Sequence, residues 1–318
     1  MTKIYSAVKL PETAVKIIKD QNIELDMHDE LTTPKPDEIA EKVKDADGLI
    51  TGVNVQAPAE VIRANPDLKV IANVGSGFNN IDIEEADKHN IPVTNTPVHE
   101  SVASTAELAF TLMLALSRRV LPGHEMAVKN EFDGWQVMGY LGGNQVIDKT
   151  LAVVGFGQIG QYIGKLALAF NMKLLYVDQE EKDTDLDAKK VSLEEALKEA
   201  DYVITQVNYN ETSHHLFGKK EFEQMKESAY FINTARGGVV DEAALADALK
   251  NNQIQAAALD VHEEEPHINE TLAKLDNVIL TPHIGNDTYE ARNKMAEVAA
   301  DQAVKALNKE RLDYQVNK

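Results

Sequence analysis

The stretch Thr150–Asp178 constrains the fold of this chain more strongly than any other part of it. An apolar run leads into Gly155-Phe-Gly157-Gln-Ile-Gly160, an apolar-periodic run follows, and a second apolar run ends at Asp178. This order predicts a strand, a tight glycine turn, a helix and a second strand. Gly155 permits the turn and Gly160 lets the helix pack close to the sheet, so the stretch predicts a βαβ unit.

The same stretch predicts a binding site for a dinucleotide. Gly157 has no side chain to hold a pyrophosphate away from the backbone, and the helix N-terminus offers N–H groups to the phosphates. Asp178 can accept hydrogen bonds from the ribose hydroxyls, and it would repel a 2′-phosphate. The acidic residues Glu180, Glu181 and Asp183 follow it, with no arginine nearby. We therefore expect NAD rather than NADP; the alternative is a glycine-rich turn of another α/β fold.

Strands and helices alternate on both sides of this stretch, which indicates α/β domains. Residues 1–95 contain five short predicted strands separated by mostly short helices. From Thr150 onward, six predicted strands fit the two halves of a dinucleotide-binding sheet. Between these regions, Glu100–Arg119 predicts one long apolar helix, buried between domains or at a subunit contact, and 130–148 is loop-like. Tyr289–Lys309 predicts a final amphipathic helix that returns to the first domain.

This pattern predicts two doubly wound parallel-sheet domains. We expect a Rossmann NAD-binding domain at 100–285, inserted into a smaller flavodoxin-like substrate domain at 1–99 and 286–318.

Composition excludes several classes of function. The chain carries 52 acidic and 32 basic residues, a formal net charge of −20, so it would repel nucleic acid and anionic membranes. It has no cysteine, which excludes disulfides and thiolate chemistry. The longest apolar run, Leu108–Leu116, is too short to span a bilayer, and the N-terminus lacks a secretory leader. No metal-ligand spacing occurs. We expect a cytoplasmic protein without metal, nucleic-acid or membrane partners.

Charged residues at strand ends are the candidate site residues, because ligands bind outside the carboxyl ends of strands in open parallel sheets. Arg236 follows one predicted strand in Asn233-Thr-Ala-Arg-Gly-Gly238. Its guanidinium can grip a carboxylate with two parallel hydrogen bonds. We expect the flanking Gly237 and Gly238 to leave room for a ligand. A helix-capping or surface arginine is the alternative.

Glu265 and His283 follow the next two predicted strands. Glu265 ends a run of three glutamates and precedes Pro266, which fixes the local backbone; a solvated charge run is the alternative. His283 lies in Thr281-Pro-His-Ile-Gly285, where an imidazole can exchange a proton with a ligand; a structural histidine is the alternative.

These three groups beside NAD suit the reduction of a 2-oxo acid to a 2-hydroxy acid. Arg236 would bind the substrate carboxylate, His283 would protonate the carbonyl oxygen, and Glu265 would orient the imidazole. A second glycine-rich segment, Val74-Gly75-Ser76-Gly77, ends a strand of the first domain. Its backbone N–H groups can hold a carboxylate as an anion nest does. A plain strand-to-helix turn is the alternative.

With these residues in place, the chain resembles the NAD-dependent D-isomer-specific 2-hydroxyacid dehydrogenase family over nearly its whole length. The motifs that carry the resemblance are Val74-Gly-Ser-Gly-Phe-Asn-Asn-Ile-Asp82, Ser104-Thr-Ala-Glu107, Gly134-Trp135, Lys149-Thr-Leu with Gly155–Gly160, Asn233-Thr-Ala-Arg-Gly-Gly238, Asp260-Val-His-Glu-Glu-Glu-Pro266 and Thr281-Pro-His-Ile-Gly285. The resemblance implies the three roles given above and a substrate carboxylate site at Val74–Gly77. It also implies cofactor contacts, which we expect at Thr105, Gly155, Gly157, Gln158, Ile159, Gly160, Asp178, Val207, Asn208, Thr212, Thr234, Ala235, Arg236, Asp260, His283 and Gly285.

The family further implies a homodimer formed through the nucleotide-binding domain, using the helix near 100–120. Two positions depart from the family pattern, which commonly has proline where Asn208 stands and an aromatic residue where His262 stands. The motifs resemble glyoxylate and hydroxypyruvate reductases most, and D-lactate dehydrogenase stays open. The competing hypothesis is a non-catalytic NAD-sensing protein of the corepressor type on the same fold. The intact trio of Arg236, Glu265 and His283 favours the enzyme.

Overall fold

The computed structural model describes residues 2–30 and 32–318, which fall into two compact units. The first unit contains the chain up to Ser101 together with Asn286–Lys318, and the second contains Val102–Gly285. Each unit is built on its own parallel sheet.

The first unit has a five-stranded parallel sheet in the order β2-β1-β3-β4-β5, the flavodoxin-like doubly wound order. Its strands are β1 (Lys3–Ser6), β2 (Glu24–Met27), β3 (Gly48–Gly52), β4 (Val70–Val74) and β5 (Val93–Thr94). Its helices are α1 (Glu12–Lys19), α2 (Pro36–Val43), α3 (Ala59–Ala64), α4 (Ile83–Lys88) and α11 (Tyr289–Leu307).

The helices of this unit begin where the local chemistry favours it. Pro36 occupies the first turn of α2, where its missing N–H is not needed. The Asp82 side chain accepts the N–H of Glu85 at 2.9 Å and caps α4. Helix α11 buries a small-residue face, with Ala299 and Ala303 fully buried in one cluster with Ile18 of α1, so the returning segment completes this core.

The second unit has a seven-stranded parallel sheet in the order β12-β11-β10-β9-β6-β7-β8, the Rossmann order extended by one strand. Its strands are β6 (Thr150–Val154), β7 (Lys173–Val177), β8 (Ala188–Lys190), β9 (Tyr202–Thr205), β10 (Tyr230–Asn233), β11 (Ala256–Leu259) and β12 (Val278–Leu280). Its helices are α5 (His99–Ser117, which begins in the first unit), α6 (Val120–Val128), α7 (Gln158–Ala169), α8 (Leu193–Glu199), α9 (Lys219–Gln224) and α10 (Glu242–Lys250). The predicted fold class, two doubly wound parallel sheets, is confirmed.

Helix α5 is buried by its own unit. Ala109, Phe110 and Met113 lie in one cluster with Ile163 of α7 and Leu151 of β6, so the helix packs on one face of the sheet. This packing covers part of the apolar surface of the helix, and Leu108, Leu114 and Ala115 are only partly buried.

Three elements differ from the prediction. The predicted helix to Arg119 ends instead at Ser117, because Arg119 adopts a left-handed conformation (φ +54°) and turns the chain into α6. Helix α6 was not predicted, since Pro122 and Gly123 interrupt its apolar pattern. The second sheet has seven strands rather than six, because the short polar edge strand β8 pairs with β7.

Within residues 2–30 and 32–318, the structure contains no helix that is both long and apolar enough to cross a membrane.

Candidate active site

Packing within the protein shapes the glycine turn between β6 and α7. Gly155 has a φ of +92°, and a Cβ there would lie 2.6 Å from the backbone of Gln206, so only glycine fits. Its N–H donates to the Val177 carbonyl at 2.8 Å, which ties the turn to β7. A Cβ on Gly160 would lie 2.3 Å from the Gly155 carbonyl oxygen. Both glycines are therefore required by the turn itself.

Gly157 has a different environment. It precedes the first turn of α7, and a Cβ there would meet no atom of the described residues within 4 Å. Open space in front of a helix N-terminus is what a pyrophosphate needs, because the free N–H groups and the helix dipole favour an anion. Gln158 and Ile159 begin the helix at this point.

Asp178 lies beside the same turn, at the end of β7. Its Oδ2 accepts the N–H of Phe156 at 2.9 Å, and its Oδ1 pairs with Lys182 Nζ at 3.0 Å. Burial alone would raise the pKa of Asp178, but these donors outweigh burial and hold the pKa below its usual value. An ionised carboxylate beside an open glycine turn fits the ribose end of a dinucleotide. The sequence pattern does not predict the ion pair with Lys182, because acidic residues dominate the segment after Asp178.

The segment after β9 and the end of β10 meet near this turn. The Val207 nitrogen would lie 2.8 Å from a Cβ on Gly155, and the Gln206 side-chain amide donates to the Thr234 hydroxyl. Asn208 accepts a hydrogen bond from the Ser213 hydroxyl through its carbonyl at 2.7 Å.

Three other predicted cofactor residues contact residues of their own unit. The Thr212 N–H donates to the Asn210 side chain at 2.9 Å, in a separate turn. The Ala235 N–H donates to the Asn233 side chain at 3.0 Å. Thr105 lies beside Gly285, since a Cβ on Gly285 would be 3.4 Å from Thr105 Cγ2.

Asp260 organises the turn that carries His283. Its carboxylate is almost fully buried and accepts the N–H groups of Ile284 and Gly285, both at 2.8 Å, and the hydroxyl of Thr281 at 2.6 Å. The Asp260 carbonyl accepts the N–H of His283, also at 2.8 Å. His283 has a φ of +57°, which costs a non-glycine residue about 1–2 kcal/mol. The four hydrogen bonds that Asp260 accepts hold this conformation.

Glu265 and His283 form the central pair of the site. Glu265 Oε2 lies 2.9 Å from His283 Nδ1, and Oε1 accepts the N–H of His262 at 3.0 Å. Burial would raise the pKa of Glu265, but the hydrogen bonds from His283 and His262 outweigh it and hold the pKa below its usual value. The carboxylate is therefore ionised near neutral pH and holds one ring nitrogen of the imidazole.

Arg236 follows β10, and its guanidinium interacts electrostatically with Glu265 of this pair. Burial lowers the pKa of Arg236, while attraction to Glu265 opposes that effect. Its Nη1 donates to the Ala235 carbonyl at 2.7 Å, and its own carbonyl accepts from the Asn233 side chain at 3.0 Å. A guanidinium has five N–H donors, so several stay available to a ligand.

The prediction that Gly237 and Gly238 leave room for a ligand is wrong. A Cβ on Gly237 would lie 1.9 Å from the His262 carbonyl oxygen and 2.4 Å from the Glu263 nitrogen. A Cβ on Gly238 would lie 2.7 Å from the Tyr209 ring. Gly237 is required to be glycine because backbone atoms of the next loop lie against it, whereas the space beside Gly238 is occupied by the Tyr209 ring.

In the first unit, the loop after β4 is held by side chains beneath it. The Gly75 N–H donates to the Thr96 hydroxyl at 2.8 Å, and the Asn73 side chain donates to the Gly77 carbonyl at 2.7 Å. Gly75 has a φ of +153°, and a Cβ there would lie 2.2 Å from Val53. The Gly75 N–H is thus already used, which leaves Ser76 and Gly77 as the N–H donors of the predicted nest within the described chain.

Two buried residues next to the trio were not singled out as site residues from the sequence. His262 and Glu242 lie behind Glu265 with exposed fractions of 5% and 4%. The departure from an aromatic residue at His262 was the only signal in the sequence.

Comparison with known proteins gives a consistent result. Residues 110–285 match the family model described as the NAD-binding domain of D-isomer-specific 2-hydroxyacid dehydrogenases. A provisionally named 2-hydroxyacid dehydrogenase of Staphylococcus saprophyticus is 42% identical over 320 aligned residues, covering 100% of both proteins.

Two crystal structures are similar over nearly the whole chain. A protein from Thermus thermophilus is 35% identical with a TM-score of 0.94, covering 99% of this chain and 100% of that one. A glyoxylate reductase from Paecilomyes thermophila is 26% identical with a TM-score of 0.87, covering 99% and 98%.

The fold and these matches define an oxidoreductase with an NAD-binding domain. The chain belongs to the D-isomer-specific 2-hydroxyacid dehydrogenase family. It is an NAD-dependent enzyme of that family.

Proposed function

We propose that this enzyme reduces a small 2-oxo acid to the D-2-hydroxy acid, with His283 as the proton donor. The observation that carries the proposal is the 2.9 Å contact between Glu265 Oε2 and His283 Nδ1, on a turn held by Asp260. A carboxylate on Nδ1 requires a proton there, so the proton that the imidazole exchanges is the one on Nε2.

The proton balance follows from this arrangement. In the reducing direction, doubly protonated His283 gives the Nε2 proton to the carbonyl oxygen and returns to its neutral form. In the oxidising direction, neutral His283 takes the hydroxyl proton on Nε2. The bound cofactor supplies the hydride that the carbonyl carbon gains, or accepts it in reverse. Glu265 keeps the imidazole in one orientation and stabilises its positive form.

We assign the substrate carboxylate to Arg236. Its guanidinium is partly buried in an otherwise acidic chain, and a planar guanidinium binds a carboxylate in a bidentate manner. A charged donor beside the carbonyl also favours the negative charge that develops on the oxygen. The N–H groups of Ser76 and Gly77 are the second proposed carboxylate donors.

The residues proposed to hold the cofactor are those of the glycine turn. Gly157 leaves the pyrophosphate space at the N-terminus of α7, and Asp178 accepts the ribose hydroxyls. Val207, Thr234 and Thr105 are proposed as further contacts.

Glyoxylate, hydroxypyruvate and pyruvate are the proposed substrate class. The similarity to a glyoxylate reductase supports this choice. The test mixes the protein with NADH and each 2-oxo acid in turn and follows NADH absorbance. We expect turnover with at least one member, and a D-configured product by chiral chromatography. Absence of turnover with the whole panel, together with tight NADH binding, would reject this substrate class.

A matched pair of variants tests the role of His283. His283→Ala should lower kcat by about 10²- to 10⁴-fold, the usual contribution of a general acid. His267→Ala changes an exposed histidine of the loop that carries Glu265 and should leave kcat unchanged. Equal activities of the two variants would reject the assignment.

We also propose a cytoplasmic homodimer formed through the second unit. Several large apolar side chains of α6 and the following segment are strongly exposed, which supports burial against a second copy. These are Val128, Phe132, Trp135, Val137 and Met138. Light scattering on the purified protein should give twice the mass of the 35.1 kDa chain.

A further inference from the structure

His262 contacts all three loops that carry the trio. Its N–H donates to Glu265 Oε1 at 3.0 Å, and its Nε2 lies 2.9 Å from the Thr281 carbonyl, two residues before His283. Its own carbonyl oxygen lies against Gly237, the residue after Arg236, where a Cβ would approach to 1.9 Å. A single buried residue thus joins the ends of β10, β11 and β12.

The hydrogen-bond partners of His262 determine where its ring protons lie. A carbonyl oxygen only accepts, so Nε2 must carry a proton to bond Thr281. Nδ1 then faces Glu242 Oε1 at 3.8 Å and has no hydrogen-bond partner among the described residues. A bare Nδ1 opposite an ionised carboxylate would place two acceptors together in a buried site, which is costly.

In the state of lowest free energy, the His262–Glu242 pair carries one additional proton. It is either an imidazolium beside a carboxylate or a neutral imidazole beside a carboxylic acid. Burial raises the pKa of Glu242 despite the N–H that it accepts from Glu263 at 2.9 Å, which favours retention of that proton.

Other charged groups face this pair from the surrounding elements. The loop after β11 contributes acidic side chains, one of which pairs with a histidine of the loop before α9, and the other two members of the trio interact with Glu265 of that loop. These groups are Glu263, Glu264 and Glu265, His215 (2.6 Å from Glu263), His283 and Arg236. The excess of acidic groups also favours a protonated pair.

We propose that His262 is a positioning residue for the catalytic pair and that the proton it shares with Glu242 keeps it in place. While the pair holds this proton, His262 fixes the backbone of Thr281 and the carboxylate of Glu265 at hydrogen-bond distance. When the proton is lost, His262 moves away from Glu242 and the Glu265–His283 contact loosens. This inference rests on the roles proposed for Glu265 and His283.

Two substitutions of His262 separate hydrogen bonding from size. His262→Phe keeps a ring but removes the donor to the Thr281 carbonyl, and we expect kcat to fall by about 10- to 100-fold. His262→Gln retains an amide N–H donor and should recover to within about fivefold of the unchanged enzyme. KM for NADH should change by less than about threefold in both variants, because the glycine turn is untouched.

Glu242→Gln tests the shared proton, because an amide does not ionise. We expect activity at neutral pH within about fivefold of the unchanged enzyme and a smaller fall of kcat/KM at alkaline pH. An unchanged kcat and pH profile in His262→Phe would overturn the proposal, and so would a His262→Gln variant as impaired as His262→Phe. His283→Ala is measured alongside; full activity in that variant would refute the proposed function instead.

Discussion

Replacement of Glu265 by glutamine removes the negative charge from the catalytic pair and also the acceptor for the N–H of His262, because an amide NH2 cannot accept a hydrogen bond. Glutamine has nearly the same shape, and its side-chain oxygen can still accept the Nδ1 proton of His283 across the present 2.9 Å. Its amide cannot reproduce both hydrogen bonds of the carboxylate equally well, yet the oxygen facing His283 is retained. The variant therefore measures the contribution of the negative charge together with that of the hydrogen bond from the His262 N–H.

The size of the effect follows from the environment of the pair. A hydrogen bond to a charged group contributes about 1.5–3 kcal/mol when buried. Both side chains are about one-third exposed, at 33% for His283 and 37% for Glu265, so solvent screens part of this value. We expect about 1–2 kcal/mol, which corresponds to a fall of about 5- to 30-fold in kcat/KM.

The assay is NADH oxidation with the best 2-oxo acid of the panel, measured across pH. The pKa of Glu265 is below its usual value, so the carboxylate is ionised at neutral pH and its contribution is lost only as pH falls through that lowered pKa. The glutamine variant should lack this acidic loss. Glu264→Gln, a substitution in the same exposed glutamate run, is the control and should match the unchanged enzyme. A Glu265→Gln variant with full kcat/KM at neutral pH would refute the reasoning.

Three further predictions concern other parts of the chain. Asp178→Ala removes the ribose acceptor and frees Lys182, 3.0 Å away, to attract a 2′-phosphate; the ratio of kcat/KM for NADH over NADPH should fall by about tenfold or more, and an unchanged ratio would contradict the assignment. Gly237→Ala places a Cβ 1.9 Å from the His262 carbonyl oxygen. It should lower unfolding stability by about 1–3 kcal/mol in thermal melts, whereas Gly218→Ala, whose nearest contact is 3.6 Å, should not. Arg63 holds the pKa of Glu85 at about 2 through two hydrogen bonds, so the carboxylate stabilises the fold above its unfolded pKa and loses that effect as pH falls toward 2. The Tm difference between Arg63→Ala and the unchanged protein should therefore shrink from pH 5 toward pH 2; a constant difference would contradict this linkage.

The sequence predicts the elements whose patterns are strong. The βαβ stretch at 150–178 and both doubly wound sheets follow from apolar periodicity and from the glycine spacing. Helix α6 and strand β8 do not, because one contains Pro122 and Gly123 and the other is a short polar edge strand stabilised by β7. For β8, pairing with β7 outweighs the weak local preference of the segment.

The residues of the candidate site also divide into those that the sequence predicts and those that it does not. Arg236, Glu265 and His283 could be selected because charged residues at strand ends have few structural reasons to be there. The contacts of Gly237 with His262, and of His262 with Glu242, join segments far apart in the sequence. No local pattern encodes such contacts, so Gly237 was assigned to ligand space although the backbone of His262 and Glu263 requires glycine there.

Of the three glycines in the turn before α7, two are required for folding and the third is not. Neighbouring backbone atoms require glycine at 155 and 160. A Cβ at 157, in contrast, would meet no atom of the described residues within 4 Å. A library screened only for expression or heat resistance would accept alanine at 157 and reject it at 155 and 160. Such a screen would enrich well-folded proteins that no longer hold a nucleotide, and only a cofactor-affinity step would reveal the loss.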